Sequence, residues 1–75
     1  MRIVDDKIFT PREREIILHI LSGKNKQEIA ALMFLSVSTI KTYVESIYRK
    51  LGVHNKVSLL LYVFKNKIVE FDEKD

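Results

Sequence analysis

A chain of 75 residues with no cysteine has room for one small core and excludes disulfide bracing, thiolate metal sites and thiol chemistry. Its net charge of +3 conceals an asymmetry: residues 70–75, EFDEKD, carry four acids and one lysine, a sum of −3, so the first 69 residues carry +6. A basic body of this kind points to an anionic partner, nucleic acid foremost.

No apolar run approaches the roughly 18 residues of a membrane span. The longest, LLLYVF at residues 59–64, is an ordinary helix segment, and the opening MRIVDDKIF lacks the apolar core of a signal peptide. The expected location is the cytoplasm, away from any membrane.

The first helix is announced by TPRE at residues 10–13. Thr10 can cap, Pro11 suits the first helical position, and Glu13 can complete a capping box. The pattern runs to about Ser22, where Gly23 supplies a left-handed stop. Ile16, Ile17, Ile20 and Leu21 form its inner face, with Leu18 and His19 outside it. A second helix of about two turns begins after Asn25, with Glu28 three residues on; Ile29, Leu32 and Met33 are its expected inner face. The connection FLS, residues 34–36, has no glycine but must be tight, because Ser36 is the natural cap of the next helix.

The third helix, residues 37–51, has two contrasting faces. Ile40, Val44, Ile47 and Leu51 recur at steps of four, three and four, one buried stripe ended by Gly52. Ser38, Thr42, Glu45 and Arg49 lie opposite, with Lys41 on the shoulder. A fourth helix follows the cap Asn55, from Lys56 to about Asn66. KIVEF, after it, is short enough to lie back on the core, and the acidic end is expected to fray. No segment reads as a usable strand. The expected architecture is all-α, a four-helix bundle containing a helix-turn-helix, with a short extended arm at residues 1–9, a core at 10–69 and an acidic tail at 70–75.

A short helix, a connection of three or four residues and a longer helix make a helix-turn-helix, in which the second helix inserts its N-terminal half into the DNA major groove. Short side chains suit that position, because bulky ones would hold the helix off. Ser36, Ser38 and Thr39 can donate to phosphate oxygens where backbone N–H groups and the helix dipole also favour anions. Lys41 can reach guanine O6 or N7, and the methyl of Thr42 can touch a thymine methyl. Glu45, one turn deeper, can accept from cytosine N4 or repel the backbone and so filter sequences.

The residues that carry this pattern resemble the LuxR-type (GerE-type) DNA-binding domain. The similarity runs through FTPRERE (residues 9–15), EIA (28–30), Ser36, TIK (39–41), RKLGV (49–53) and the last amphipathic helix, ending at Ile68 and Val69. The resemblance implies a four-helix bundle that reads duplex DNA with its third helix, and base contacts from Lys41, Thr42 and Glu45. It implies phosphate contacts from Asn25, Lys26, Ser38, Thr39, Tyr43, Arg49, Lys50 and Lys56. The chain departs from the family pattern in three places. Tyr43 replaces a usual His, Lys56 a common Arg with its bidentate geometry, and Asn25–Lys26 a usual Ser–Asn pair.

The last helix is too apolar for one buried face. Leu59, Leu60 and Val63 suit the core, while Val57, Leu61 and Phe64 form a second stripe, with Lys65 at its edge. In the family this helix often makes a two-fold contact. A homodimer, formed in solution or only on DNA, would then place two reading helices on an inverted repeat. The alternative folds Phe64 under the arm or under KIVEF.

Nothing in the chain suggests catalysis, a cofactor or a bound metal. There is no glycine-rich phosphate loop, His19 and His54 fall in different elements, and Glu13 and Glu15 face different ways on one helix. Two binding functions compete with a dimeric regulator. One is a sigma-factor-like promoter-binding module docked on RNA polymerase, which is also a candidate partner of the regulator. The other is a protein-interaction module that kept the fold and lost DNA binding.

Overall fold

The computed structural model of the chain describes residues 2–3, 8–66 and 69–70. Four helices carry it: α1 (Pro11–Leu21), α2 (Lys26–Met33), α3 (Val37–Leu51) and α4 (Lys56–Lys65). Each starts at a residue whose side chain accepts a first-turn N–H. Thr10 accepts from Glu13, Asn25 from Glu28, Ser36 from Thr39 and Asn55 from Ser58. The first two are complete capping boxes, in which the Glu side chain returns a bond to the cap's own N–H.

The first three helices end alike. Lys24 N–H donates to His19 carbonyl and Gly23 N–H to Ile20 carbonyl; Leu35 donates to Ala30 and Phe34 to Ala31; Val53 donates to Tyr48 and Gly52 to Arg49. These are Schellman closures, each needing one left-handed residue. Gly23 and Gly52 supply it at φ 87° and 68°. In the connection between α2 and α3 the residue is Phe34, at φ 56°. This is how a turn without glycine stays tight.

The core gathers Ile16, Ile17 and Ile20 from α1, Ile29 and Ala30 from α2, Ile40, Val44, Ile47 and Leu51 from α3, and Leu59 and Val63 from α4. Helix α2 packs on α3, and α1 packs on both. The expected stripe of α3 is buried as read. On α2 the expectation for Leu32 is corrected: it is half exposed, and Ala30 takes the inner position beside Ile29. A helix of eight residues presents so narrow a face that α3 accepts only Ile29, Ala30 and part of Met33. Phe9, assigned to the arm, is buried in the core.

The all-α reading holds, with one addition that the sequence reading lacked. Arg2–Ile3 (β1) and Val69–Glu70 (β2) form a two-residue antiparallel pair, Arg2 opposite Glu70 and Ile3 opposite Val69. The expectations for the tail beyond residue 70, and for Lys67 and Ile68 of KIVEF, lie outside the described residues.

Candidate nucleic-acid interface

Helix α3 turns its polar side to solvent. Ser38, Lys41, Thr42, Glu45 and Arg49 are all exposed, opposite the buried stripe. At its start the Ser36 hydroxyl accepts the Thr39 N–H at 3.0 Å and lies 2.8 Å from the Thr39 hydroxyl. The Thr42 hydroxyl donates to the Ser38 carbonyl at 3.1 Å. With its hydroxyl turned back to the helix, Thr42 offers its methyl outward.

Two grooves flank this polar face. One, of about 440 Å³, is lined by Thr10, Glu13, Ser38, Thr39, Thr42, Tyr43 and Ser46, nearly all hydroxyl side chains. The other, of about 330 Å³, carries Lys24, Lys26 and Lys56 with Asn25 and Gln27, over an apolar floor of Ile20, Ile29, Val37, Val44 and Tyr48. Burial on that floor raises the Tyr48 phenol above its usual value of 10.0, so Tyr48 stays neutral and adds no negative charge. Each groove has room for a phosphate group.

Six of the eight residues expected at phosphates line one or other groove, on either side of α3, and Arg49 and Lys50 line neither. Ser38, Thr39 and Tyr43 share the hydroxyl groove; Asn25, Lys26 and Lys56 share the lysine groove. Asn25 gives its side-chain oxygen to the cap of α2, which leaves its amide N–H groups for a ligand. Lys24 joins the lysine groove without having been singled out from sequence, although its place beside Asn25 at the start of α2 was a signal.

Lys50 belongs to a different structure. Its ammonium donates to Glu13 Oε1 at 2.6 Å and to the Ile8 carbonyl at 3.1 Å. It holds α3 to α1 and faces away from Lys41. Glu13, a capping residue from sequence, is also the single buried charged side chain among the described residues, at 3% exposure. Burial raises its pKa; the hydrogen bonds from Lys50, the Thr10 N–H and the Ser46 hydroxyl, with the Lys50 charge, outweigh that and set it below 4.5. Glu15, two residues on, is exposed and lies 3.9 Å from His19 on the next turn, so no carboxylate pair forms.

On α4, Leu59 and Val63 are buried, and Val57 and Leu61 are each 66% exposed. Phe64 is 53% exposed, and Lys65 is exposed beside it.

Residues 7–63, three quarters of the chain, match the family described as bacterial regulatory proteins, luxR family. The chain belongs to the luxR family. Among its relatives are the response regulator proteins VraR of Staphylococcus aureus, Staphylococcus saprophyticus and Staphylococcus epidermidis. Each is 34% identical over 64 residues, which are 85% of this chain and 31% of the relative. The chain thus spans about a third of the length of these relatives. As a luxR-family domain it is a DNA-binding domain of a transcription regulator. Among the described residues no helix is long and apolar enough to cross a membrane.

Proposed function

We propose that the chain reads a specific sequence of duplex DNA with α3 in the major groove, as a dimer joined through α4. The observation that carries this reading is the pair of grooves on opposite sides of the exposed α3 face. A helix about 10–12 Å across fills a major groove about 12 Å wide, so a phosphate wall meets it on each flank. Hydroxyls await one wall and lysines the other. Between them, Lys41 would donate to guanine, the Thr42 methyl would meet thymine, and Glu45 would accept from cytosine. Arg49 would reach backbone beyond the base contacts. Lys50 is left out of the phosphate set, because its ammonium is already held by Glu13 and the Ile8 carbonyl.

The dimer reading rests on Val57 and Leu61, each 66% exposed on one side of α4, with Phe64 and Lys65 further along the same side. Apolar side chains so spaced on a small domain call for a covering surface, and a two-fold contact through them would pair two half-sites in inverted order. The named response regulators support reading this chain as the DNA-binding part of a longer regulator.

Selection of binding sites from random duplexes at near-physiological salt tests the proposal. An inverted repeat with half-sites about one helical turn apart is the expected product. A single half-site would replace the dimer with a monomer or a polymerase-docked module. No enrichment would overturn sequence reading by the isolated chain and favour a protein-interaction role.

A further inference from the structure

We propose that Glu13 is a positioning residue for DNA readout, a clamp that sets the rotation and tilt of α3 against the rest of the domain. The inference rests on the reading of α3 as the recognition helix. Glu13 stands in the first turn of α1, and both its carboxylate oxygens are engaged. Oε1 accepts from the Lys50 ammonium at 2.6 Å and from the Thr10 N–H at 2.9 Å; Oε2 accepts from the Ser46 hydroxyl at 3.2 Å. Ser46 and Lys50 lie one turn apart on one side of α3. Two directional bonds from one rigid carboxylate to two points on a helix fix its rotation about its axis as well as its distance. The carboxylate cannot give way, because the Thr10 capping box holds it from behind.

The apolar stripe of α3 secures burial, but contacts among aliphatic side chains are non-directional. Small rotations cost them less than they cost a charged hydrogen bond. The lever is long enough to matter. Lys41 lies nine residues from Lys50, about 13.5 Å along the helix. A tilt of about 10° pivoted at Lys50 would move Lys41 by about 2 Å, several times the tolerance of about 0.5 Å for a preorganised site. Ser46 also lines the hydroxyl groove with Thr39 and Tyr43, so the clamp sets the phosphate seat and the base-reading face together. An ion pair with only one partner buried is weak evidence of net stabilisation, and holding α3 in one arrangement is the role assigned to it here.

The test compares wild type with Glu13→Gln, Lys50→Met, Ser46→Ala and Lys50→Arg. Ile17→Val serves as a control that trims the core without touching the clamp. Each is assayed well below its melting temperature, on the selected duplex and on duplexes changed at the base pair read by Lys41. The expected result is a fall in the affinity ratio between right and wrong duplex of about tenfold for Glu13→Gln and for Lys50→Met. The double variant should be no worse than either, and Lys50→Arg should recover most of the ratio. Ile17→Val should lower the melting temperature and leave the ratio unchanged. Should Glu13→Gln fail to fold, Ser46→Ala, which keeps the ion pair and the capping box, carries the test with a smaller loss. A ratio preserved in all clamp variants, with only stability reduced, overturns the positioning role and leaves the DNA reading standing. A wild type without discrimination overturns both.

Discussion

The Glu13 carboxylate and the Lys50 ammonium meet at 2.6 Å although 37 positions separate them in the chain. The carboxylate is buried and the lysine is about a third exposed, so the two partners are not equivalent. Removing Lys50 strands a charge; removing the charge of Glu13 lets Lys50 turn to water. Lys50→Met is therefore expected to cost about 2–3 kcal/mol at neutral pH, and Glu13→Gln less. Denaturant titration of both variants measures the asymmetry, and equal losses would contradict it.

The same pair sets an acid limb on stability. Burial favours the neutral carboxyl, but Lys50, the Thr10 N–H and Ser46 together hold the folded pKa below its ordinary value of 4.5. A pKa lowered on folding contributes stability that is complete above the unfolded value and is lost as pH falls through the folded one. Thermal melts of wild type should lose stability below about pH 4.5, and Glu13→Gln should show a shallower decline. In Lys50→Met the deficit should narrow toward acid, because protonation removes the stranded charge.

At the proposed DNA face, Lys41→Ala should cost about 1–3 kcal/mol on the selected site and relax selection at one base pair. Thr42 makes a finer test. Its hydroxyl is committed to the Ser38 carbonyl, so Thr42→Val should bind nearly as wild type. Thr42→Ser, which removes only the methyl, should lose about 0.8 kcal/mol. The reverse order, measured by titration with a labelled duplex, would show that the hydroxyl does the reading.

Lys26→Gln and Lys56→Gln should weaken binding evenly across sequences, each reducing the slope of log affinity against log salt by about one. Leu61→Asp should leave the melting curve within about 0.5 kcal/mol, since the side chain is exposed. Its effect should be a loss of about tenfold in affinity for a two-half-site duplex, with a single half-site bound as before. Equal binding of Leu61→Asp and wild type to the paired site would remove α4 from the dimer.

Phe34 carries a left-handed backbone in the turn between α2 and α3 with its ring 94% exposed. The other two closures of this kind use glycine. Phe34→Gly relieves the Cβ crowding and gives up almost no burial, so a gain of up to about 1 kcal/mol is expected on thermal unfolding.

What could be read in the sequence is what is local. Thr10, Asn25, Ser36 and Asn55 announce the starts of their own helices, Gly23 and Gly52 two of the stops, and the four-three-four spacing the buried side of α3. The same locality explains what was missed. Leu32 and Ala30 are equally good interior candidates on a short helix, and the choice between them belongs to the surface of α3. Phe9 is claimed by a core assembled from distant segments. No periodicity connects Glu13 with Ser46 and Lys50, so a capping residue and a supposed phosphate ligand turned out to be partners. The hydroxyl and lysine side chains that line the two grooves were visible as residue types; which groove each joins depended on how α1, α2 and α4 surround α3.

The pairing of Arg2–Ile3 with Val69–Glu70 has a mechanical side. The two strands run antiparallel with Arg2 opposite Glu70, so both chain ends leave from the same end of the ribbon. Tension between the termini would peel it open one residue pair at a time, the least resistant loading direction for a β-pair. Farther along the N-terminal side, the Ile8 carbonyl is tied to Lys50 on α3. A single-molecule pull by the two ends should record a small early extension before the helices give way. A neighbouring segment tugging on this domain would thus spend its first force on the ribbon and its next on α3, the proposed reading helix.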